Sequence, residues 1–249
     1  MKNNVVIIDS GLGGISLLQT FLKTLPIKNY IYFADTKNLP YGNKSKKELL
    51  KITVENVKFI IKKYKPFFIV FGCNTIGLNI YNDLCKIFSN IKIFAIQPVV
   101  NFREKTNSKL ILGTSKTIKY LKINKITNNS VKLLEMPELA SLTENNINNL
   151  GILLPYLKNK LKKYIKIDIL VLGCTHYYFL KNEFKTIFPN VKIIDGVKKL
   201  ANKINRYLNE IKNMPKINKF KIKLHMTKRT NNFKTYKKLI NNCIESTEV

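Results

Sequence analysis

The feature that most constrains this chain is a pattern that occurs twice. Phe67-Phe68-Ile69-Val70-Phe71-Gly72-Cys73-Asn74-Thr75 and Asp168-Ile169-Leu170-Val171-Leu172-Gly173-Cys174-Thr175-His176 each read as an apolar strand, a Gly-Cys step and a short polar run. Continuous apolar runs of this length suit strands buried on both faces. The two cysteines are 101 residues apart, and a strand ending in a Gly-containing turn lies upstream of each, at Asp9-Ser10-Gly11 and Gly113-Thr114-Ser115. From Asp9 to Cys73 is 64 residues and from Gly113 to Cys174 is 61, so the chain reads as two matched halves.

The intervening sequence supports that division. We read strands at Val5 to Ile8, Tyr30 to Ala34, Phe67 to Phe71 and Ile91 to Ile96, with helices over Ile15 to Leu25 and Lys46 to Tyr64 stopped by Pro26 and Pro66. The pattern then restarts, with strands at Lys109 to Leu112, Val131 to Leu134, Ile169 to Leu172 and Val191 to Ile194, and helices over Ser115 to Leu121 and Ile147 to Tyr164. A tail from about Leu200 reads as a helix, a strand over Phe220 to Met226 and a helix over Asn232 to Ile240. Strands alternating with helices build βαβ units on parallel sheets. The expected fold is α/β: two similar, pseudo-symmetric Rossmann-like or flavodoxin-like domains with parallel central sheets. The first would span residues 1–97 and 205–249, the second 98–204. Ligands in such sheets bind beyond the carboxyl ends of the strands. Both Gly-Cys steps sit at such ends, so a cleft between the domains would carry one thiol on each side.

Composition narrows the chemistry. With 249 residues and 45% hydrophobic content the chain can build real cores. No apolar run approaches the roughly 18 residues that span a bilayer, and the start, Met1-Lys2-Asn3-Asn4-Val5, runs straight into a short strand, so we expect a cytoplasmic protein without a membrane segment. The four cysteines, at 73, 85, 174 and 243, are far apart and form no C-x-x-C pair. They argue against a disulfide scaffold, and two histidines, His176 and His225, argue against zinc. The formal charge of +29 first suggests nucleic acid. Yet arginine occurs only at 103, 206 and 229, leaving 41 lysines of 44 basic residues, spread along the chain. Arginine is the preferred reader of bases and phosphates. We therefore read a compositional drift toward Lys, Asn and Ile, and set a nucleic-acid-binding module behind an enzyme.

Two opposed thiols define a task. Free cysteine is among the most buried residue types, and Cys85 and Cys243 fit that reading. Cys73 and Cys174 differ because each follows a strand and is flanked by polar residues. A thiol has an unperturbed pKa of ~8.5, near enough to neutrality to act as acid or base after tuning. A pair suits removal of a proton from one face of a weakly acidic carbon and its return to the other, as in racemisation of an amino acid. Asp9 ends the strand beside the expected place of Cys73, and His176 lies two residues after Cys174. Each would tune its thiol. A strand-end Asp before Ser-Gly also serves as a turn or helix cap, and His176 as a plain loop residue, and the local sequence leaves both open. The turn Asp9-Ser10-Gly11-Leu12-Gly13-Gly14 opens a helix and suits an anion such as a carboxylate. It lacks the G-x-G-x-x-G spacing, and no Walker lysine motif occurs, so neither NAD nor ATP is expected.

Taken in order, these residues resemble the glutamate racemases. The matches are Asp9-Ser10-Gly11 with Gly13-Gly14, Pro40-Tyr41-Gly42, Cys73-Asn74-Thr75, Gly113-Thr114 with Thr117, Glu144, Cys174-Thr175-His176 and Asp195-Gly196, over nearly the whole chain. The segment Glu135 to Ala140 departs from the family pattern, in which a Cys often precedes that Pro. The resemblance implies interconversion of L- and D-glutamate with no cofactor and no metal, supplying D-glutamate for peptidoglycan. It implies Cys73 acting on D-glutamate and Cys174 on L-glutamate, with Asp9, Glu144 and His176 assisting proton transfer. It implies that Asp9, Ser10, Tyr41, Gly42, Asn74, Thr75, Thr114, Thr117, Thr175 and His176 hold the substrate. Dimers are common in the family, so a homodimer is the implied assembly. Aspartate racemases are the nearest rival. That branch typically has Glu where this chain has His176, and a Gly-Gly turn where it has Asp9-Ser10.

Overall fold

The structure is a computed structural model that describes residues 4–100, 108–125, 131–164, 166–211 and 220–245. In the first half, β1 (Asn4–Asp9), α1 (Ile15–Thr24), β2 (Asn29–Ala34), α2 (Lys46–Tyr64), β3 (Phe68–Phe71), α3 (Asn74–Asn79), α4 (Tyr81–Ile87) and β4 (Lys92–Ala95) follow one another. The second half repeats the plan with β5 (Lys109–Gly113), α5 (Ser115–Ile123), β6 (Val131–Glu135), α6 (Leu139–Asn145), α7 (Leu154–Leu161), β7 (Ile169–Leu172), α8 (Lys181–Ile187) and β8 (Lys192–Ile194). The chain then returns through α9 (Val197–Asn209), β9 (Lys221–Met226) and α10 (Phe233–Glu245).

The strand orders show the repeat directly. The first sheet runs β4-β3-β1-β2-β9 and the second β6-β5-β7-β8. Read from the other edge, the second is β8-β7-β5-β6, the order of β4-β3-β1-β2. Every neighbouring pair is parallel. The fold is two α/β domains of like topology. In each, the strand order reverses between the first and third strands, and that crevice is where such sheets bind ligands.

The apolar runs exist because both sheet faces are covered. Val5 and Ile7 pack with Leu17 and Phe21 of α1 on one face. Val6 and Ile8 pack with Leu49, Val57 and Ile60 of α2 on the other. In the second sheet Leu110 and Leu112 meet Leu157 of α7, while Ile111 meets Ile118 of α5. Ser45 caps α2 by accepting from the Glu48 N–H, and Thr114 caps α5 by accepting from the Thr117 N–H. The helix α9 buries Val197, Leu200, Ala201, Ile204 and Leu208 in the core of the first sheet, with Tyr236 and Ile240 of α10. Among the described residues no helix is long and apolar enough to cross a membrane.

One expected helix is broken. Over Ile147 to Tyr164 the chain makes a turn, with the Asn149 N–H donating to the Asn146 carbonyl, then a 3-10 turn at Leu150–Leu153, and only then α7. Gly151 weakens helix, and Pro155 lacks a backbone donor, so it is accommodated in a first turn, where none is needed. The sequence reading also passes over α3, α4, α6 and α8, each six or seven residues long. Two turns are too short for a 3.6-residue period to show.

Candidate active site

The ends of the first and third strands in each sheet meet across one interface. β1 delivers Asp9 and Ser10, and β3 delivers Gly72 and Cys73. β5 delivers Gly113 and Thr114, and β7 delivers Gly173 and Cys174. The domains touch through glycine. A Cβ on Gly11 would lie 2.5 Å from Glu144 Oε2 and 2.9 Å from His176 Nε2. One on Gly13 would run into Thr175 Oγ1 and lie 2.7 Å from His176 Nδ1. One on Gly42 would lie 2.9 Å from Thr114 Cβ. The glycines of the first turn are thus there for close approach to the second domain, and a side chain would hold the halves apart.

Hydrogen bonds cross the same interface. The Thr175 hydroxyl donates to Asp9 Oδ2 at 3.2 Å, while Asp9 Oδ1 accepts from the Gly11 N–H at 2.9 Å. The Leu12 N–H donates to Glu144 Oε2 at 2.9 Å. The Thr75 and Thr114 hydroxyls lie 3.2 Å apart, and Thr114 in turn reaches Thr117 Oγ1 at 3.2 Å. Asn74 is buried beside Cys73, and its Oδ1 has no hydrogen-bond partner among the described residues. A buried unpaired acceptor costs free energy unless something donates to it. A primary ammonium group is a donor of the right kind.

The two thiols sit in different electrostatic surroundings, although each is nearly buried. Around Cys174, His176 Nδ1 is 4.0 Å from the sulfur, and the other ring nitrogen is 2.9 Å from Glu144 Oε2. Burial alone would lower the His176 pKa. The contacts with Cys174 and Glu144 and the nearby Asp9 charge outweigh it, and hold the imidazolium well above its ordinary range. Burial likewise opposes the charge on Glu144, but donors from His176, Tyr236 and the Leu12 N–H hold its carboxyl below the usual value. The pair is an ion pair with a full set of partners. Around Cys73, burial and the adjacent Asp9 carboxylate push the thiol up, a negative charge on Cys174 would add to this, and the Ile76 and Thr75 N–H groups pull the other way. Asp9 is itself raised to about 6, chiefly by burial, with the His176 charge and the Gly11 N–H pulling the other way. It changes charge close to neutrality.

The structure gathers Asp9, Ser10, Tyr41, Gly42, Cys73, Asn74, Thr75, Thr114, Thr117, Glu144, Cys174, Thr175 and His176 at these strand ends and their loops, all buried. Two qualify the sequence reading. The Tyr41 hydroxyl donates to Asp35 Oδ2 at 2.6 Å, so it shapes its loop. Asp195 accepts from the Val197 N–H and Lys181, at the start of α9. Sequence reasoning missed four supporting groups. Tyr32 donates to the Gly11 carbonyl at 2.6 Å, and Asp35 collects Tyr41, Asn38, Asn56 and Thr227. Tyr236 and Asn232, from α10 and the residues before it, both reach Glu144. Their partners lie 21 to 192 residues away or form part of a buried polar hub, and no local motif marks either arrangement.

Paired α/β domains of like topology, each with a buried strand-end cysteine beside an ionisable side chain, fit one class of protein, the amino-acid racemases. No family model matches the chain. Among known proteins, the chain is 36% identical over 222 residues to a glutamate racemase of Clostridium acetobutylicum, covering 83% of this chain and 86% of that one. It is 35% identical over 216 residues to that of Buchnera aphidicola subsp. Schizaphis graminum, covering 82% and 84%. The crystal structure of the Francisella tularensis glutamate racemase with D-glutamate superposes with a TM-score of 0.81 at 25% identity, over 96% of this chain and 94% of that one. A Picrophilus torridus aspartate racemase shares the fold more distantly, with a TM-score of 0.54 at 12% identity. The chain belongs to the glutamate racemase family.

Proposed function

We propose that this chain interconverts L- and D-glutamate by a two-thiol proton transfer at the α-carbon that needs no cofactor. The observation that carries the reading is the pair of topologically equivalent thiols, Cys73 and Cys174, with Asp9 beside one and His176–Glu144 beside the other. In the L to D direction Cys174, with His176 at its sulfur, takes the α-proton. Cys73, kept protonated by burial and Asp9, returns a proton to the opposite face. In the D to L direction the roles exchange. Asn74 Oδ1 and Asp9 suit the substrate ammonium group. The hydroxyls of Ser10, Thr75, Thr114, Thr117 and Thr175, with backbone N–H groups at Tyr41-Gly42, suit its carboxylates.

The relatives named for glutamate, and the presence of His176 and Asp9-Ser10, favour glutamate over aspartate. On this reading the product is D-glutamate for peptidoglycan, made in the cytoplasm, and the assembly is a homodimer. For the chain's division we propose residues 98 to about 196 as the second domain, with the first resuming at α9. The burial of α9 in the first sheet's core supports a boundary earlier than residue 205. The test is incubation of purified protein with L-glutamate in D2O without added cofactor, followed by NMR and chiral chromatography. We expect D-glutamate deuterated at the α-carbon. Exchange with aspartate alone would move the assignment to the rival branch, and exchange with neither would overturn the reading.

A further inference from the structure

Glu144 is held from the first domain as well as the second. The Leu12 N–H and His176 share its Oε2, each at 2.9 Å. The other oxygen, Oε1, accepts from the Tyr236 hydroxyl at 2.5 Å, across 92 residues of sequence. Asn232, just before α10, donates to the Glu144 backbone carbonyl at 2.7 Å. The Tyr236 ring is fully buried among residues of α1 and α9. A phenylalanine would fill that space equally well, so packing does not explain the hydroxyl. A hydroxyl in such a core is costly without a partner, and its partner here is a carboxylate oxygen of the site.

We propose that Tyr236 is a positioning residue of the racemase site, its hydroxyl reaching from the C-terminal helix of the first domain to fix the Glu144 carboxylate and, through it, the His176 that serves Cys174. This rests on the functional reading above, in which His176 and Cys174 act together. The groups facing Glu144 are His176 from the turn after β7, Asp9 from β1, Tyr32 from β2 and Tyr236 from α10. Among these groups of the described residues, His176 is the cation. Burial and the Glu144 charge keep the Tyr236 phenol protonated, so it remains a donor throughout the working pH range. Remove the hydroxyl and Oε1 becomes a buried, charged oxygen that has lost a donor. The carboxyl then takes up a proton at higher pH and releases its hold on the imidazolium.

The experiment is a set of pH profiles of glutamate racemisation for the wild type, Tyr236→Phe, Asn232→Ala, Glu144→Gln and the Tyr236→Phe/Glu144→Gln double variant. Circular dichroism and gel filtration confirm the fold of each. For Tyr236→Phe we expect Glu144 to rise toward the range in which Asp9 titrates, so that the acid limb of kcat/KM steepens and shifts upward, with kcat falling by about tenfold or more and KM changing less. Asn232→Ala loses a contact to the same residue but not to its carboxylate, and its acid limb should stay in place. In the Glu144→Gln background the Tyr236 change should add nothing to the acid limb. A Tyr236→Phe profile superimposable on the wild type would overturn the proposal. So would an equal shift in Asn232→Ala, or an undiminished shift in the double variant. If the wild type itself fails to racemise glutamate, the functional reading falls and takes this inference with it.

Discussion

The fold opposes the charge on Asp9, and the group titrates in a range where unfolding can be followed, so Asp9→Asn is an informative substitution. The carboxyl is fully buried, and its pKa rises from 3.8 to about 6 on folding, chiefly through lost hydration. A group that binds its proton more tightly when folded favours the native state at low pH. That advantage is complete below about pH 4 and is lost as pH rises through 6. The rise of about 2 units corresponds to about 3 kcal/mol at 1.36 kcal/mol per unit. Asparagine has the same shape. Its oxygen can accept from the Gly11 N–H, and its amide can donate to the Thr175 hydroxyl in place of the present bond. Asp9→Asn should therefore gain on the wild type as pH rises, by about 2–3 kcal/mol between pH 4 and pH 8, while racemisation falls. Denaturant unfolding of both proteins at pH steps across that range measures the difference. A difference that stays flat from pH 4 to pH 8 would refute the reasoning, because Asp9 would then carry no raised pKa.

Two further substitutions test the interface and the loop. Gly13→Ala places a methyl group against Thr175 and His176 and should cut kcat/KM about 100-fold while the protein remains folded, as a misplacement of about 1 Å can do. An unchanged rate would show that the glycine turn does not set domain closure. Tyr41→Phe removes a donor from buried Asp35, leaving Asn38, Asn56 and Thr227. It should cost about 1–3 kcal/mol of stability in denaturant titration, and a loss below about 0.5 kcal/mol would contradict the role given to that hydroxyl.

Much of this architecture is legible in the sequence because the repeat is chemical as well as structural. A strand buried on both faces must be apolar throughout, so β3 and β7 announce themselves, and the polar step after each marks the sheet's functional edge. The helices α3, α4, α6 and α8 were not legible, since tertiary packing rather than periodicity holds a two-turn helix. The same is true of the break at Leu150–Leu153, where Gly151 and Pro155 act against an otherwise helical pattern. In the site, the residues that stand beside the cysteines in sequence were visible, whereas Tyr236, Tyr32 and Asp35 were not. Each is an ordinary core or loop residue until the fold brings it to Glu144, Gly11 or Tyr41.

The central claim is that each face of the substrate has its own thiol. The most direct measurement compares glutamate racemisation by Cys73→Ala and by Cys174→Ala with the wild type, from both enantiomers, at matched protein concentration. The account predicts that either substitution alone lowers racemisation by about 1000-fold or more in both directions, as loss of an essential acid or base does. Either variant retaining a tenth of the wild-type rate would mean that one thiol suffices, and the two-thiol account would be wrong.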